Sequence, residues 1–173
     1  MSSRAGEAQL LVASSDEAFA RLGADALPGL LDPAEVVFVR ALIETADVVV
    51  DNFMPGALTR RGLDPALLVA KHPKLVWCTI SGFGPDSTRP GYDYVVQAEA
   101  GWMSITGEVN GEPMRAATAL VDVLTGKDAL FAMLATLTGV RAGINVERHV
   151  SVSLFSTAAS ALGLSHGPIH AEC

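Results

Sequence analysis

Cysteine is nearly absent from this chain: Cys78 and Cys173 are the two thiols in 173 residues. They make neither a zinc-ligand spacing nor a disulfide framework. Cys78 lies in the apolar run 75–80 and is expected to be a buried free thiol. The four histidines, His72, His149, His166 and His170, form no metal-ligand pattern. His166 and His170 stand four apart, but Gly167 and Pro168 between them break any helix that would align them. No metal is expected. Basic residues are outnumbered, 12 Lys and Arg against 19 Asp and Glu, for a formal net charge of −7. That balance excludes a general nucleic-acid or anionic-membrane binder, but allows a small anion held by a local cationic patch. Long apolar runs are missing too. The strongest, 129–137, is too short to span a bilayer, and no basic stretch leads into an apolar one at the start of the chain. A cytoplasmic protein without membrane or nucleic-acid partners is expected. What is present is a hydrophobic half and a length sufficient for one domain with a core.

The first 31 residues have small side chains and no clear period, and no role is assigned to them; a short helix from about Ser15 to Leu22 is conceivable. Order is expected from Asp32. Asp32-Pro33-Ala34-Glu35 combines an N-cap, a proline at the first helical position and a glutamate three residues after the cap. Val36, Val39, Leu42 and Ile43 then share a face, which predicts a helix over 33–45. The β-branched run within 46–53 predicts a buried strand, ended by Pro55-Gly56. One helical turn is expected over 57–61 and a helix from Asp64-Pro65 to about Lys71, closed by Pro73. Residues 75–80 predict a second buried strand.

Strand, helix, strand at this spacing is a βαβ unit with parallel strands. Ligands of open parallel sheets bind beyond the carboxyl ends of the strands. The loops 52–56 and 81–92 therefore face the expected site. Farther on, the pattern predicts a helix from Asp93 to Met103, a turn region over 106–113, a long apolar helix over 123–140, a strand over 146–154 and a helix over 155–164. The segment 129–137 is apolar on most sides and is expected to be buried or in a subunit contact. Trp77 and Trp102 read as core residues. The tail 165–173 reads as irregular.

Asp122 stands at or just before the expected start of the long helix. Backbone N–H groups and the helix dipole favour a carboxylate there. Two roles fit: a plain N-cap, or an ionised carboxylate nucleophile.

Five stretches carry a resemblance. ADVVVDNFMPGALTRRGL (46–63), HPKLVWCTISGFG (72–84), RPGYDYVVQAEAGWMSITGE (89–108), RAATALVDVLTG (115–126) and VSVSLFSTA (150–158) stand in the order and at the spacings of the family III CoA-transferases, the CaiB/BaiF type. The chain resembles that family over about 32–162. The resemblance implies an α/β fold, a Rossmann-like parallel sheet with flanking helices. It implies a partial large domain over 32–164, with the family's small second domain absent, and hence a central fragment of a longer enzyme. It further implies CoA transfer between carboxylic acids, with acyl-CoA as a substrate rather than a permanent cofactor. Asp122 matches the acyl-carrying aspartate, which passes through aspartyl-acyl and aspartyl-CoA intermediates. Asn52, Phe53, Met54, Arg60, Arg89, Pro90, Gly91, Tyr92 and Asp93 match loops along the CoA. Arginine suits phosphate through its planar donor fork.

The related α-methylacyl-CoA racemases carry a histidine where this chain has Tyr92. Proton exchange at the acyl α-carbon needs a group that titrates near neutrality, and tyrosine ordinarily titrates near about 10. Transfer is therefore expected over racemisation. Full-length members form interlaced dimers, so a homodimer or association with a missing half is expected. A non-catalytic remnant that binds CoA or a partner is the alternative to an enzyme.

Overall fold

The computed structural model of the chain describes residues 10–13 and 33–163. Four strands, β1 (Leu10–Ala13), β2 (Val48–Asp51), β3 (Val76–Ser81) and β4 (His149–Ser153), form one parallel sheet in that order. Helix α1 (Pro33–Thr45) precedes β2, and α2 (Pro65–Lys71) joins β2 to β3. Between β3 and β4 run α3 (Asp93–Glu99) and the long α4 (Leu120–Arg141); α5 (Leu154–Gly163) follows β4 directly. The α/β class and parallel pairing are as the sequence predicts. Strand β1 is not foreseen. Its four residues carry no alternation, and its place is set by pairing with β2, Leu10 beside Val48 to Ala13 beside Asp51. The proposed cap Asp32, the helix near Ser15, His166, His170 and the tail lie outside the described residues.

The inner strands β2 and β3 are largely apolar because both their faces are covered. Val49 and Trp77, register partners, face Ile43 of α1, Leu63, and Leu68 and Val69 of α2. Val48, Val50, Val76 and Cys78 face Ala129 and Leu137 of α4. A third cluster, Val96, Val121, Leu154 and Ala158, joins α3, α4 and α5 beside the sheet. Both strands β2 and β3 thus begin as hydrophobic runs, and their first polar side chains, Asp51 and Thr79, come in the carboxyl-terminal half. Fully burying one such valine or leucine stabilises by about 1.5–3 kcal/mol.

Helix ends follow local chemistry. Asp64 caps α2: its Oδ1 accepts from Leu67 N at 3.0 Å and its Oδ2 from Thr59 Oγ1 at 3.0 Å. The Leu67 N–H at this helix start, more than any other contact, holds the Asp64 carboxyl below its ordinary value. The cap therefore contributes above the ordinary carboxylate range and is lost as pH falls through that lowered value. At the other end of α2, one Arg148 Nη1 donates to the carbonyls of Val69 and His72 at 2.8 Å and of Leu75 at 3.3 Å. A cation at a helix carboxyl end also meets the dipole favourably.

Four boundaries differ from expectation. Helix α3 stops at Glu99 rather than Met103, because Gly101 turns the chain at φ 92° and Trp102–Ser104 forms a separate 3-10 turn. The turn expected over 57–61 is a 3-10 turn at Thr59–Arg61. Strand β4 begins at His149, not 146, because Val146 packs against the glycine face of α4 at Gly139. Helix α4 begins at Leu120 with Ala119 as its N-cap, so Asp122 lies within the first turn and is not the cap. Nor is α4 buried on most sides. Ala129, Thr136 and Leu137 are buried, whereas Leu130, Phe131 and Leu134 are 48%, 66% and 52% exposed, since the sheet covers only one side of the helix.

Burial pushes the Cys78 thiol up to about 11, with the nearby Asp51 charge adding to it. The folded protein should therefore resist iodoacetamide at Cys78 at mildly alkaline pH and be alkylated there only after denaturation. Peptide mass mapping, which separates Cys78 from Cys173, reads the result; alkylation of folded Cys78 at the denatured rate would contradict this packing.

Candidate active site

The carboxyl ends of β2 and β3 carry the first buried polar network. Asp51 is 2% exposed. Its Oδ2 accepts from Trp77 Nε1 at 2.6 Å and Thr79 Oγ1 at 2.9 Å, and its Oδ1 accepts from Phe53 N at 3.1 Å. Three donors offset the cost of burying this carboxylate. The Thr79 hydroxyl also lies 3.0 Å from His149 Nε2. With the Thr79 proton on Asp51, His149 Nε2 is the donor to Thr79. Through the Phe53 amide, Asp51 fixes the start of the 52–56 loop. That loop roofs a cleft of about 240 Å³ lined by Asp51, Phe53, Met54, Asp64, Pro85 and His149, among others. Pro85 also lines a neighbouring cleft of about 380 Å³ with Asp128, Ser153 and Thr157, so the two adjoin. Asp122 lines neither.

The loop after β3 is closed by two glycines. A Cβ on Gly82 would run into the backbone of Gly91, and one on Gly91 into that of Gly82. Only glycine permits this approach. Within the loop, Arg89 pairs with Glu99 of α3 and lies 4.0 Å over the Phe83 ring. Phe83 in turn packs on Phe155 of α5, with ring centroids 5.8 Å apart. Tyr92 and Tyr94 stack at 6.1 Å and are both half exposed.

Just past this loop, Asp93 reaches from the first turn of α3 to the start of α4. Its Oδ2 accepts from Val121 N at 2.7 Å and Asp122 N at 3.0 Å. Its Oδ1 accepts from Nε2 of Gln97, a side chain only 1% exposed. Gln97 Oε1 accepts from Ala116 N at 2.9 Å. Asp122 itself is exposed. The loop expected along CoA and the helix expected to carry the nucleophile are thus joined through one carboxylate.

A family model for CoA-transferase family III matches residues 30–168. The chain belongs to that family. It is 40% identical over 137 residues to a succinate–glutarate CoA-transferase of Agrobacterium fabrum, covering 77% of this chain and 34% of that protein. It is 39% identical over 109 residues to human succinyl-CoA:glutarate CoA-transferase, covering 61% of this chain and 25% of that one. The solved CAIB/BAIF family protein of Brucella suis aligns at a TM-score of 0.69 and 35% identity, over 77% of this chain and 36% of that one. The chain spans about a third of the length of the first of these relatives. No helix among the described residues is long and apolar enough to cross a membrane.

In this CoA-transferase family chain the expected site residues fall into two groups. Phe53 and Met54 line the smaller cleft, Asn52 is exposed beside it, and Arg60 lies exposed on the 3-10 turn near Gly56. Arg89, Pro90, Gly91, Tyr92 and Asp93 lead to Asp122. Arg89 is engaged by Glu99 and Phe83, Gly91 is packed on Gly82, and Asp93 is turned to the α4 amides. Sequence reasoning missed Asp51, Gln97 and His149. Asp51 had a signal, a charged residue ending a valine run; Gln97 had none, because nothing in its neighbours marks a buried amide.

Gly91→Ala should cost roughly 1–3 kcal/mol of stability through the forced separation of the loop ends. Urea denaturation measures it. A variant as stable as the parent would mean that the glycine contact is not maintained in solution.

Proposed function

We propose that Asp122 is a carboxylate nucleophile and that the chain provides the acyl-carrying part of a CoA transfer between carboxylic acids. The observation that most supports this is the single carboxylate, Asp93, that ties the 82–93 loop to the helix turn bearing Asp122. In the first step an Asp122 oxygen attacks the thioester carbon of an acyl-CoA. A carbon–oxygen bond forms, the carbon–sulfur bond breaks, and its electron pair leaves with sulfur as CoA thiolate. The product is an aspartyl-acyl anhydride. The thiolate attacks the aspartyl carbonyl, expelling the donor carboxylate and leaving an aspartyl-CoA thioester. The acceptor carboxylate attacks that thioester to form an anhydride, and the returning thiolate takes the acceptor acyl group and frees Asp122. Covalent catalysis divides a hard exchange into easier steps. The adjoining clefts at the strand carboxyl ends suit an elongated ligand, with Phe53, Met54 and Arg60 on the CoA side. Tyr92, half exposed, favours transfer over racemisation, because tyrosine is a poor acid/base group near neutrality.

A second reading, a CoA-binding remnant without turnover, is favoured by one observation: Asp122 lines neither of the two clefts. Covalent trapping separates the two. Incubation with an acyl-CoA, hydroxylamine treatment and peptide mass spectrometry should mark Asp122. Asp128, which accepts from Thr157 Oγ1 at 2.7 Å, should stay unmarked. Asp122→Asn should abolish the mark. An unmarked parent chain that still binds CoA would establish the remnant; a mark that survives Asp122→Asn would overturn the assignment.

Association through α4 belongs to the same proposal. Val123, Leu130, Phe131 and Leu134 leave its outer side apolar and at least 48% exposed, and a second copy of the chain would cover it. Sedimentation should show a dimer that Phe131→Glu dissociates; a parent monomer at micromolar concentration would refute it.

A further inference from the structure

Asp93 falls, by resemblance, on the loop along CoA, yet its carboxylate faces the protein. Every amide of the first α4 turn has a partner. Leu120 N donates to Thr118 O at 2.8 Å and Val123 N to Ala119 O at 3.2 Å. The two between them, Val121 N and Asp122 N, donate to Asp93 Oδ2. The residue at the N-cap position is Ala119, whose methyl group can accept nothing. The cap that serine, threonine or aspartate ordinarily supplies from within the helix comes here from another helix, 28 residues earlier in the chain. Without it two helix-start donors would lose their acceptor, and a first turn so placed frays readily.

Gln97 sets the orientation of that cap, and its own orientation is forced. Nε2 meets two acceptors, Asp93 Oδ1 and, at 3.5 Å, Thr118 O; Oε1 meets one donor, Ala116 N. Turning the amide over would place acceptor against acceptor and donor against donor. Asp93 and the buried Gln97 therefore hold the chain at residues 116, 118, 121 and 122, the whole approach to the nucleophile.

We propose that Asp93, oriented by Gln97, is the positioning residue for Asp122. It fixes the turn of α4 from which the nucleophile projects and takes no direct part in holding CoA. The inference rests on the role proposed above for Asp122. A near-attack distance of about 3–3.5 Å between the carboxylate and the thioester carbon is required for rapid acylation, and a misplacement of about 1 Å costs on the order of a hundred-fold.

Three variants of the full chain test it: Asp93→Asn, Gln97→Glu and the double variant. Asp93→Asn sets two amide nitrogens face to face, and Gln97→Glu sets two carboxylates face to face. The double variant restores one donor and one acceptor with the polarity exchanged. The readouts are amide exchange at Val121 and Asp122, and the rate of Asp122 acylation across acyl-CoA concentrations. Each single variant should hasten exchange at both amides and slow acylation at saturation by on the order of ten- to a hundred-fold. The half-saturating concentration should not move, and the double variant should regain most of the rate. If one single variant fails to fold, the other, set against the parent and the double variant, carries the same comparison. A higher half-saturating concentration with an unchanged rate would make Asp93 a CoA contact and overturn the proposal. A labelled parent with variants of equal rate would overturn it while leaving Asp122 as nucleophile. A parent that is never labelled on Asp122 removes the reaction itself, and the positioning role falls with it.

Discussion

A parallel sheet covered on both faces leaves little room for polar side chains along its inner strands, and that constraint organises β2 and β3. Val48, Val49 and Val50 of β2 and Val76, Trp77 and Cys78 of β3 spend themselves on two cores, one under α1 and α2 and the other under α4. Polar chemistry gathers toward the carboxyl-terminal halves of these strands and along β4. Asp51 is the first charged group that β2 reaches, and it is kept buried only because Trp77, Thr79 and the Phe53 amide all donate to it. The same exclusion that gives the core its stability thus assembles a carboxylate, a hydroxyl and an imidazole beside a cleft.

That constraint also explains what could be read in advance. Period and composition are direct records of burial, so β2, β3, α1 and α2 were legible, and Pro33–Thr45 begins and ends where its apolar face and proline place it. Five ordered stretches carried the family. Strand β1 was not legible, since four residues that owe their conformation to a neighbour's backbone leave no pattern of their own. The start of α4 was misplaced for a related reason. Caps are sought among the residues adjoining a helix, and this helix takes its acceptor from Asp93 across a loop.

The site shows a similar division. Asp122 was legible as a carboxylate near a helix start, and Phe53 and Met54 as loop residues on the ligand side of the sheet. The use made of Arg89 and Asp93 was not. Both carry charge on a loop that reads as exposed, yet Arg89 is spent on Glu99 and Phe83 and Asp93 on backbone amides. Charge in a loop indicates where a ligand can be met; the partner it meets is decided by distances that spacing does not encode.

The contact between Gly82 and Gly91 has a consequence for how this surface varies. The segment between them is a ring with a narrow neck, held near its ends at Phe83 and Arg89. Closing a longer ring costs little, about 0.6 kcal/mol for each doubling of its length. Insertions between Gly84 and Thr88 would therefore be cheap, and would reshape the rim of both clefts through Pro85 while the neck kept Asp93 in register with α4. The shape of the clefts and the placement of α4 are thereby separable on one loop: its contour is open to change, and its root is not.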